Sequence, residues 1–274
     1  MMLRPGGPAW LFCPADRPER FAKAAAVADV VILDLEDGVA AGAKDAARAA
    51  VLNSAQDPAR TVVRLNAAGT ADYRADLEML ARTAYSTVML PKSESGSQIS
   101  GLAPREVIVL IETPLGALHV GECAAADNAV AVMWGSEDLF AALGGTANRR
   151  SDGTLRDVAR HVRSASLLAA KAYDRLALDS VYLDIGDVAG LRAEVDDAVA
   201  VGFDAKVAIH PSQVAVIRDG YAPTAQQLSW ARSVVAAARD NPRGVFELDG
   251  MMVDMPVLRR ARRIITNGGG EPLS

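Results

Sequence analysis

The amino-acid sequence predicts an α/β protein, a (β/α)8 TIM barrel with a C-terminal helical extension. The chain has 274 residues, half of them hydrophobic, a length that one barrel often uses in full. Eight short apolar runs rich in β-branched residues alternate with longer stretches of helical spacing. This alternation is typical of repeated βα units, whose strands form a parallel sheet.

The predicted strands and helices follow in order along the chain. The strands are Trp10–Cys13, Val30–Leu33, Thr61–Leu65, Thr87–Leu90, Val107–Ile111, Val130–Trp134, Val181–Leu183 and Val207–Ile209. The clearest helices between them are Arg17–Ala28, Lys44–Asn53, Ala71–Leu80, Leu155–Tyr173 and Leu191–Val201. An open doubly wound sheet would give a similar pattern, but the turn after the first strand lacks the glycines of a dinucleotide-binding loop.

The barrel is predicted to span residues 1–222, and residues 223–274 are predicted to form the extension. Two helical stretches, Ser229–Arg239 and Val257–Ile265, lie in this tail, and a closed barrel requires neither of them. We therefore expect the extension to contact a neighbouring subunit or to act as a lid.

Composition and charge exclude several classes of function. The chain has 29 basic and 34 acidic residues, a net charge of −5, and no basic segment that could follow a nucleic-acid backbone. The first eight residues lack the apolar run of a signal peptide or membrane span, so we expect a soluble cytoplasmic protein. Cys13 and Cys123 match no paired-thiol motif and are expected to be buried small residues.

The predicted strands end in polar residues. In a barrel these carboxyl ends meet at one mouth, where active sites are found. The strand-end residues in chain order are Asp34, Glu36, Asp37, Arg64, Asn66, Lys92, Glu112, Gly135, Glu137, Asp138, Asp184 and His210. Converging carboxylates are costly unless a cation neutralises them, and oxygen ligands without a cysteine or histidine set favour Mg²⁺ or Mn²⁺.

Glu112 and Asp138 follow neighbouring strands and are the predicted metal ligands, with Glu36 and Asp37 holding metal-bound waters. Arg64 suits the capture of a substrate carboxylate. Alternative interpretations stay open at two positions. Glu137 and Asp138 follow Ser136 at an expected helix start, where acids complement the helix dipole. Arg64 could equally form a buried ion pair with one of the acids.

Eight segments in order resemble the citrate lyase β-subunit-like group of the HpcH/HpaI aldolase superfamily, which includes malyl-CoA and citramalyl-CoA lyases. They are residues 11–18 (LFCPADRP), 32–39 (ILDLEDGV), 63–66 (VRLN), 90–92 (LPK), 111–113 (IET), 134–139 (WGSEDL), 209–213 (IHPSQ) and 250–256 (GMMVDMP). The resemblance covers nearly the whole chain. It implies a (β/α)8 barrel with Mg²⁺ on Glu112 and Asp138, and with Arg64 facing the carboxylate of a 2-oxo acid.

The resemblance also implies the substrates and the assembly. The reaction would be a Claisen-type cleavage or formation of a β-hydroxyacyl-CoA such as citramalyl-CoA or malyl-CoA, with pyruvate or glyoxylate as the oxo acid. Gly135 and Glu137 would line the substrate site. Arg17 and Lys23 would meet the coenzyme A phosphates, with Lys44 and Arg48 as further candidates.

Asp254 would enter the active site of a neighbouring subunit as a proton-transfer group, in a trimer or a pair of trimers. Two other functions stay open at this point. One is the β subunit of a citrate lyase complex, acting on a citryl thioester, and the other is a protein that binds metal and oxo acid without catalysis.

Overall fold

The computed structural model describes residues 6–241 and 244–269. Eight parallel strands form a closed barrel in sequential order, each paired with the next and the eighth paired with the first. The predicted (β/α)8 barrel with C-terminal helices is therefore confirmed. The strands are β1 Ala9–Pro14, β2 Val30–Asp34, β3 Thr61–Arg64, β4 Thr87–Leu90, β5 Glu106–Ile111, β6 Ala129–Trp134, β7 Leu176–Asp179 and β8 Ala205–Ala208.

Helices connect the strands. In chain order they are α1 Phe21–Val27, α2 Lys44–Leu52, α3 Ala71–Leu80, α4 Gly96–Ser100, α5 Pro114–Leu118, α6 Val120–Ala125, α7 Ser136–Ala142, α8 Asp157–Ala172, α9 Val188–Val201, α10 Pro211–Tyr221, α11 Ala225–Asp240 and α12 Met255–Asn267. The helix predicted from Arg17 begins with a 3-10 turn, Pro18–Arg20. Proline is tolerated at the first helical position, because the backbone N–H that it lacks would have no partner within the helix. No helix within the described ranges is both long and apolar enough to cross a membrane.

The barrel interior is filled by alternate side chains of the strands. Trp10, Val30, Ile32, Val62, Met89, Ile108, Leu110, Ala131, Met133, Leu178, Ala205 and Val207 form one buried cluster. All five residues of β2 are buried, since the strand faces this cluster on one side and helices on the other. Cys13 and Cys123 are buried and unpaired, as predicted.

The seventh strand lies earlier than predicted. Val181–Leu183 has the stronger β propensity, but β7 is Leu176–Asp179, whose Leu and Ala residues favour a helix locally. Pairing with Ala131–Met133 on one side and with β8 on the other overrides that preference. Asp184 consequently does not end the strand, and it accepts hydrogen bonds from the backbone of Gly186 and Asp187 in the following loop.

Asp179, at the true end of β7, is the centre of a buried ionic network between the barrel and its helices. Its carboxylate accepts hydrogen bonds from Trp134 Nε1 at 2.8 Å, Arg163 Nε at 2.9 Å and Lys206 Nζ at 3.2 Å. Burial raises the pKa of Asp179, but Lys206 and Arg163 outweigh it and leave that pKa at about 2. Lys206 in turn contacts Glu194 of α9, so the network joins β6, β7, β8, α8 and α9.

The chain forms two compact units, one up to Arg218 and one from Asp219. In the second unit α11 and α12 pack together, and β9 (Phe246–Leu248) and β10 (Met251–Val253) form an antiparallel hairpin. Ala231, Val234, Val253, Ala261 and Ile265 form its buried core. The sequence analysis did not predict this hairpin, whose strands have only three residues each.

Replacing Asp179 should destabilise the barrel strongly. Asp179→Ala leaves Lys206 and Arg163 without their shared buried carboxylate, and removing one partner of a buried ion pair costs roughly 3–5 kcal/mol. We expect this loss in the free energy of unfolding, measured by urea denaturation. The matched control is Asp196→Ala, which removes an exposed pair with Arg192 on α9 and should cost less than about 1 kcal/mol. Equal losses in the two variants would contradict the network's role.

Candidate active site

A pocket of about 350 Å³ lies at the carboxyl ends of the barrel strands. Its lining combines polar residues, among them most of the strand-end acids, with apolar ones. The polar lining residues are Asp34, Asp37, Gly38, Arg64, Glu112, Gly135, Ser136, Glu137, Asp138 and Ser180. The apolar lining residues are Phe12, Pro14, Leu110, Met133, Val181, Leu183 and Ile209. The barrel thus places the predicted carboxylates around one cavity.

Asp34 organises the loop that follows β2. Its side chain is buried and accepts hydrogen bonds from the backbone N–H groups of Glu36 and Gly38, both at 2.9 Å. Gly38 is required here, because a Cβ atom at that position would lie 2.3 Å from Asp34 Oδ2. These contacts fix the positions from which Glu36 and Asp37 project.

Arg64 is held by two acids. Its Nε and Nη2 atoms donate to the two carboxylate oxygens of Asp34, each at 2.7 Å, and its guanidinium lies over the ring of Phe12. Nη1 lies 3.0 Å from Glu36 Oε2, close enough for an ion pair although not aligned as a hydrogen bond. The buried ion pair considered for Arg64 is therefore present, and the same side chain lines the pocket.

Glu112 is buried at the end of β5, between the pocket and β6. Its Oε1 accepts a hydrogen bond from the backbone N–H of Lys92 at 2.9 Å. A Cβ atom at Gly135 would lie 2.8 Å from Glu112 Oε2, so a residue without a side chain is needed at the end of β6. Burial, followed by the nearby carboxylates of Glu36 and Asp138, raises the pKa of Glu112 to about 8.

Glu137 and Asp138 lie in the first turn of α7, as the helix-start interpretation expects. Glu137 accepts hydrogen bonds from the hydroxyl of Ser136 and from the amide of Asn148. The Asp138 side chain is 33% exposed, and its Oδ1 lies 3.2 Å from Lys92 Nζ. The helix start and a pocket-facing carboxylate therefore coexist at Asp138.

The residues present fit a hard divalent cation. We call Asp34, Glu36, Asp37, Glu112 and Asp138 the acidic cluster. In the part of the chain that the structure describes, Arg64 and Lys92 are the cationic side chains in contact with it. Two cationic side chains against five carboxyl groups leave room for a further positive charge. Among residues 6–241 and 244–269 no three acidic, histidine or cysteine side chains enclose a metal unaided, so substrate and water oxygens would complete the coordination.

The predicted phosphate-binding cations lie outside the pocket wall. Arg17 is half exposed beside Asp16, and Lys23 is exposed on α1. Lys44 donates to three internal oxygens, those of Leu35, Glu36 and Asn66. Arg48 pairs with the carboxylates of Asp45, Asp72 and Asp76. The charged groups of Lys44 and Arg48 are thus already bound by oxygen atoms of the chain itself. Arg17 and Lys23 are the more accessible pair.

Two further predicted residues have local partners. Asp254 is the N-cap of α12, where its Oδ1 accepts from the backbone N–H of Val257 at 3.1 Å. His210 Nδ1 lies 2.8 Å from the hydroxyl of Ser212 at the start of α10, and its neighbour Ile209 lines the pocket instead.

Asp34, Lys92 and Ser180 lie at the site but were not predicted from the sequence as site residues. Asp34 and Lys92 were recognised as strand-end residues but received no role. Ser180 was missed because β7 was placed too late, and it follows the true strand directly. Its hydroxyl is buried at the pocket and has no hydrogen-bond partner within the described residues.

Known proteins resemble this chain over nearly its whole length. The citrate lyase subunit beta-like protein of Mycobacterium tuberculosis is 62% identical over 98% of both chains. The mitochondrial citramalyl-CoA lyase of Homo sapiens is 31% identical over 93% of this chain and 84% of its own. The crystal structure of protein CitE from Mycobacterium tuberculosis in complex with magnesium, acetoacetate and coenzyme A matches with a TM-score of 0.93 and 62% identity. That match covers 96% of this chain and 98% of CitE.

The family match agrees with the barrel and with the strand-end acids. Residues 9–211, from the first residue of β1 to the first residue of α10, match the family described as HpcH/HpaI aldolase/citrate lyase. The matched range includes every residue of the acidic cluster. The chain belongs to the HpcH/HpaI aldolase/citrate lyase family.

Proposed function

We propose that this protein is a Mg²⁺-dependent carbon–carbon lyase. It cleaves, or forms in a Claisen-type reaction, a β-hydroxyacyl-CoA such as citramalyl-CoA or malyl-CoA, with an acyl-CoA and a 2-oxo acid as the other partners. The observation that carries the proposal is the pocket at the strand ends, which Glu112 and Asp138 line together with a guanidinium fixed by Asp34. This arrangement suits a chelated metal and a substrate carboxylate together.

Each side chain has a distinct task in this proposal. Glu112 and Asp138 would hold Mg²⁺, whose positive charge would acidify the substrate hydroxyl. Arg64, held in place by Asp34, donates to the substrate carboxylate. Glu36 and Asp37 hold a water that takes the hydroxyl proton and passes it to solvent. The carbon–carbon bond then breaks, leaving its electron pair on the carbon next to the thioester. Asp254 in its protonated form gives a proton to that carbon and is reprotonated from solvent.

Asp254 is proposed to come from a neighbouring subunit, which makes the active enzyme a homo-oligomer, a trimer or a pair of trimers. Support comes from the resemblance of residues 250–256 and from the separate compact unit that carries them. The N-cap hydrogen bond uses Oδ1 of Asp254 and holds the carboxyl group in one orientation. Arg17 and Lys23 are proposed to contact the coenzyme A phosphates, because both are charged and accessible.

The purified protein should release a free 2-oxo acid from citramalyl-CoA or malyl-CoA when Mg²⁺ is present. Glu112→Gln and Asp138→Asn keep side-chain size but remove the charge that binds the metal. We expect each to lose at least about 100-fold in turnover, since metal ligands and their partners each affect affinity by 10–100-fold or more. Oxo acid release is followed by mass, and Mg²⁺ binding by calorimetry.

A thioester panel separates this function from the two alternatives. Turnover of citryl thioesters alone, on an acyl carrier protein, would indicate a citrate lyase subunit. Binding of pyruvate with no turnover across the panel would indicate a binding protein. Unchanged Mg²⁺ binding in both charge-removing variants would contradict the ligand assignment.

Asp254→Asn should abolish turnover without unfolding the C-terminal unit. Asparagine caps a helix about as well as aspartate, so the variant keeps the bond to Val257, whereas the neutral amide cannot transfer the proton. Asp254→Ala should lose turnover and also about 1 kcal/mol of stability. Thermal unfolding and steady-state kinetics on both variants measure the two effects. Full activity in Asp254→Asn would rule out the proton-transfer role.

Mixed oligomers test whether Asp254 acts in a neighbouring subunit. Arg64→Ala and Asp254→Asn subunits, each inactive alone, should recover part of the activity when they are refolded together, because some sites then combine intact residues from two chains. Native mass spectrometry verifies that mixed oligomers form. Proven mixed oligomers without recovered activity would show that Asp254 and Arg64 act within the same chain.

A further inference from the structure

Lys92 contacts more members of the acidic cluster than any other residue described above. Its Nζ lies 2.5 Å from Glu36 Oε1, 3.2 Å from Asp138 Oδ1 and 3.5 Å from Asp37 Oδ2. Its backbone N–H donates to Glu112 Oε1 at 2.9 Å. One residue at the end of β4 therefore joins acids that follow β2, β5 and β6.

The ammonium group of Lys92 faces three carboxylates of the acidic cluster. It donates a hydrogen bond to Glu36 and lies within ion-pair distance of Asp138 and Asp37, and Lys92 is not among the residues that line the pocket. Arg64 differs, because it lines the pocket and its five donors are only partly used by Asp34 and Glu36. Arg64 can thus bind a substrate carboxylate, whereas Lys92 acts on the acids of the site itself.

The backbone at Lys92 adds a second observation. Its φ angle is +50°, in the left-handed region that a side chain disfavours by roughly 1–2 kcal/mol. This conformation accompanies both contacts of the residue, the N–H to Glu112 and the ammonium to Glu36 and Asp138. A strained residue that contacts four members of the acidic cluster is a reason to ask what it holds in place.

Lys44 is a second lysine in the same region, and its ammonium group, unlike that of Lys92, has a structural role only. Its Nζ donates to the backbone carbonyls of Leu35 and Glu36 and to Asn66 Oδ1, all neutral oxygens at 2.6–2.8 Å. Glu36 thus has one lysine on its backbone carbonyl and the other on its carboxylate. Of the two, only Lys92, the lysine on the carboxylate, neutralises charge of the acidic cluster.

We propose that Lys92 is a positioning residue that serves as the built-in counter-cation of the metal site. Its ammonium group restricts the rotation of the Glu36 and Asp138 side chains and offsets part of their charge. Its backbone N–H orients Glu112. The site then stays ordered before metal binds, at the expense of weaker attraction for the metal. This role rests on the proposed Mg²⁺ ligands but does not depend on the identity of the thioester.

The proposal predicts that removing the charge of Lys92 raises the affinity for Mg²⁺ and lowers turnover. Removing a positive charge that lies 3.2 Å from a proposed metal ligand, Asp138, should strengthen Mg²⁺ binding by about tenfold or more. Turnover should nevertheless fall, by about tenfold or more, because Glu36 and Asp138 lose the group that positions them. A lysine that only stabilised the fold would lower both quantities, and one that bound substrate would raise KM without changing Mg²⁺ affinity.

The test uses the full-length protein and Mg²⁺ alone as the first probe. Calorimetry on the substrate-free protein compares the wild type with Lys92→Met, which removes the charge, and with Lys92→Arg, which keeps it. Lys171→Met is the matched control, because Lys171 pairs with Asp204, which precedes β8 at the end of the barrel away from the pocket. We expect tighter Mg²⁺ binding in Lys92→Met only, and affinities within about threefold of wild type in the other two variants.

Thermal unfolding supplies a second readout that does not require turnover. Lys92→Met should unfold at a lower temperature than wild type without metal, and saturating Mg²⁺ should raise its unfolding temperature by more than it raises that of wild type. Lys92→Gln serves if Lys92→Met does not fold. Unchanged or weaker Mg²⁺ binding in a folded charge-removing variant would overturn the proposal. Inactivity of the wild type towards every thioester would instead count against the proposed function alone.

Discussion

The charge of the acidic cluster is the constraint on which the rest of the site depends. Five carboxyl groups meet at the mouth of the barrel, and Arg64 and Lys92 are the described cations that contact them. Five carboxyl groups against two cations leave room for a further positive charge, and burial, followed by Glu36 and Asp138, raises the pKa of Glu112 to about 8. The same crowding requires glycine at positions 135 and 38, because a side chain at either position would collide with an acid.

The fold and the cluster's membership could be predicted because both depend on local patterns. A buried strand that ends in Glu112, or in Asp34 followed by Glu36, is visible in a few residues of sequence. Closure of eight parallel strands then brings their carboxyl ends together whatever the loops contain. Asp138 shows the limit of this reasoning, because its place in the first turn of α7 fits a helix start as well as a metal ligand.

The missed features depend on contacts between residues far apart in the chain. Leu176–Asp179 forms β7 because β6 and β8 pair with it, although its own residues favour a helix. The role of Asp179 follows from Arg163 and Lys206, and that of Lys92 from acids after three other strands. Ser180 could be recognised as a pocket residue only once β7 was correctly placed.

Arg64 and Lys92 have different roles, which follow from the different geometry of their charged groups. The planar guanidinium spans both oxygens of Asp34 and keeps donors for a second planar group, which suits a substrate carboxylate. The compact ammonium instead fits between three carboxylates that approach from different directions. Lysine at position 64 would therefore be a poor substitute, because an ammonium group cannot span both oxygens of Asp34 as the guanidinium does. In the proposed site Arg64, fixed by Asp34, would meet the substrate carboxylate, while Lys92 would orient Glu112 and Asp138, the two proposed metal ligands.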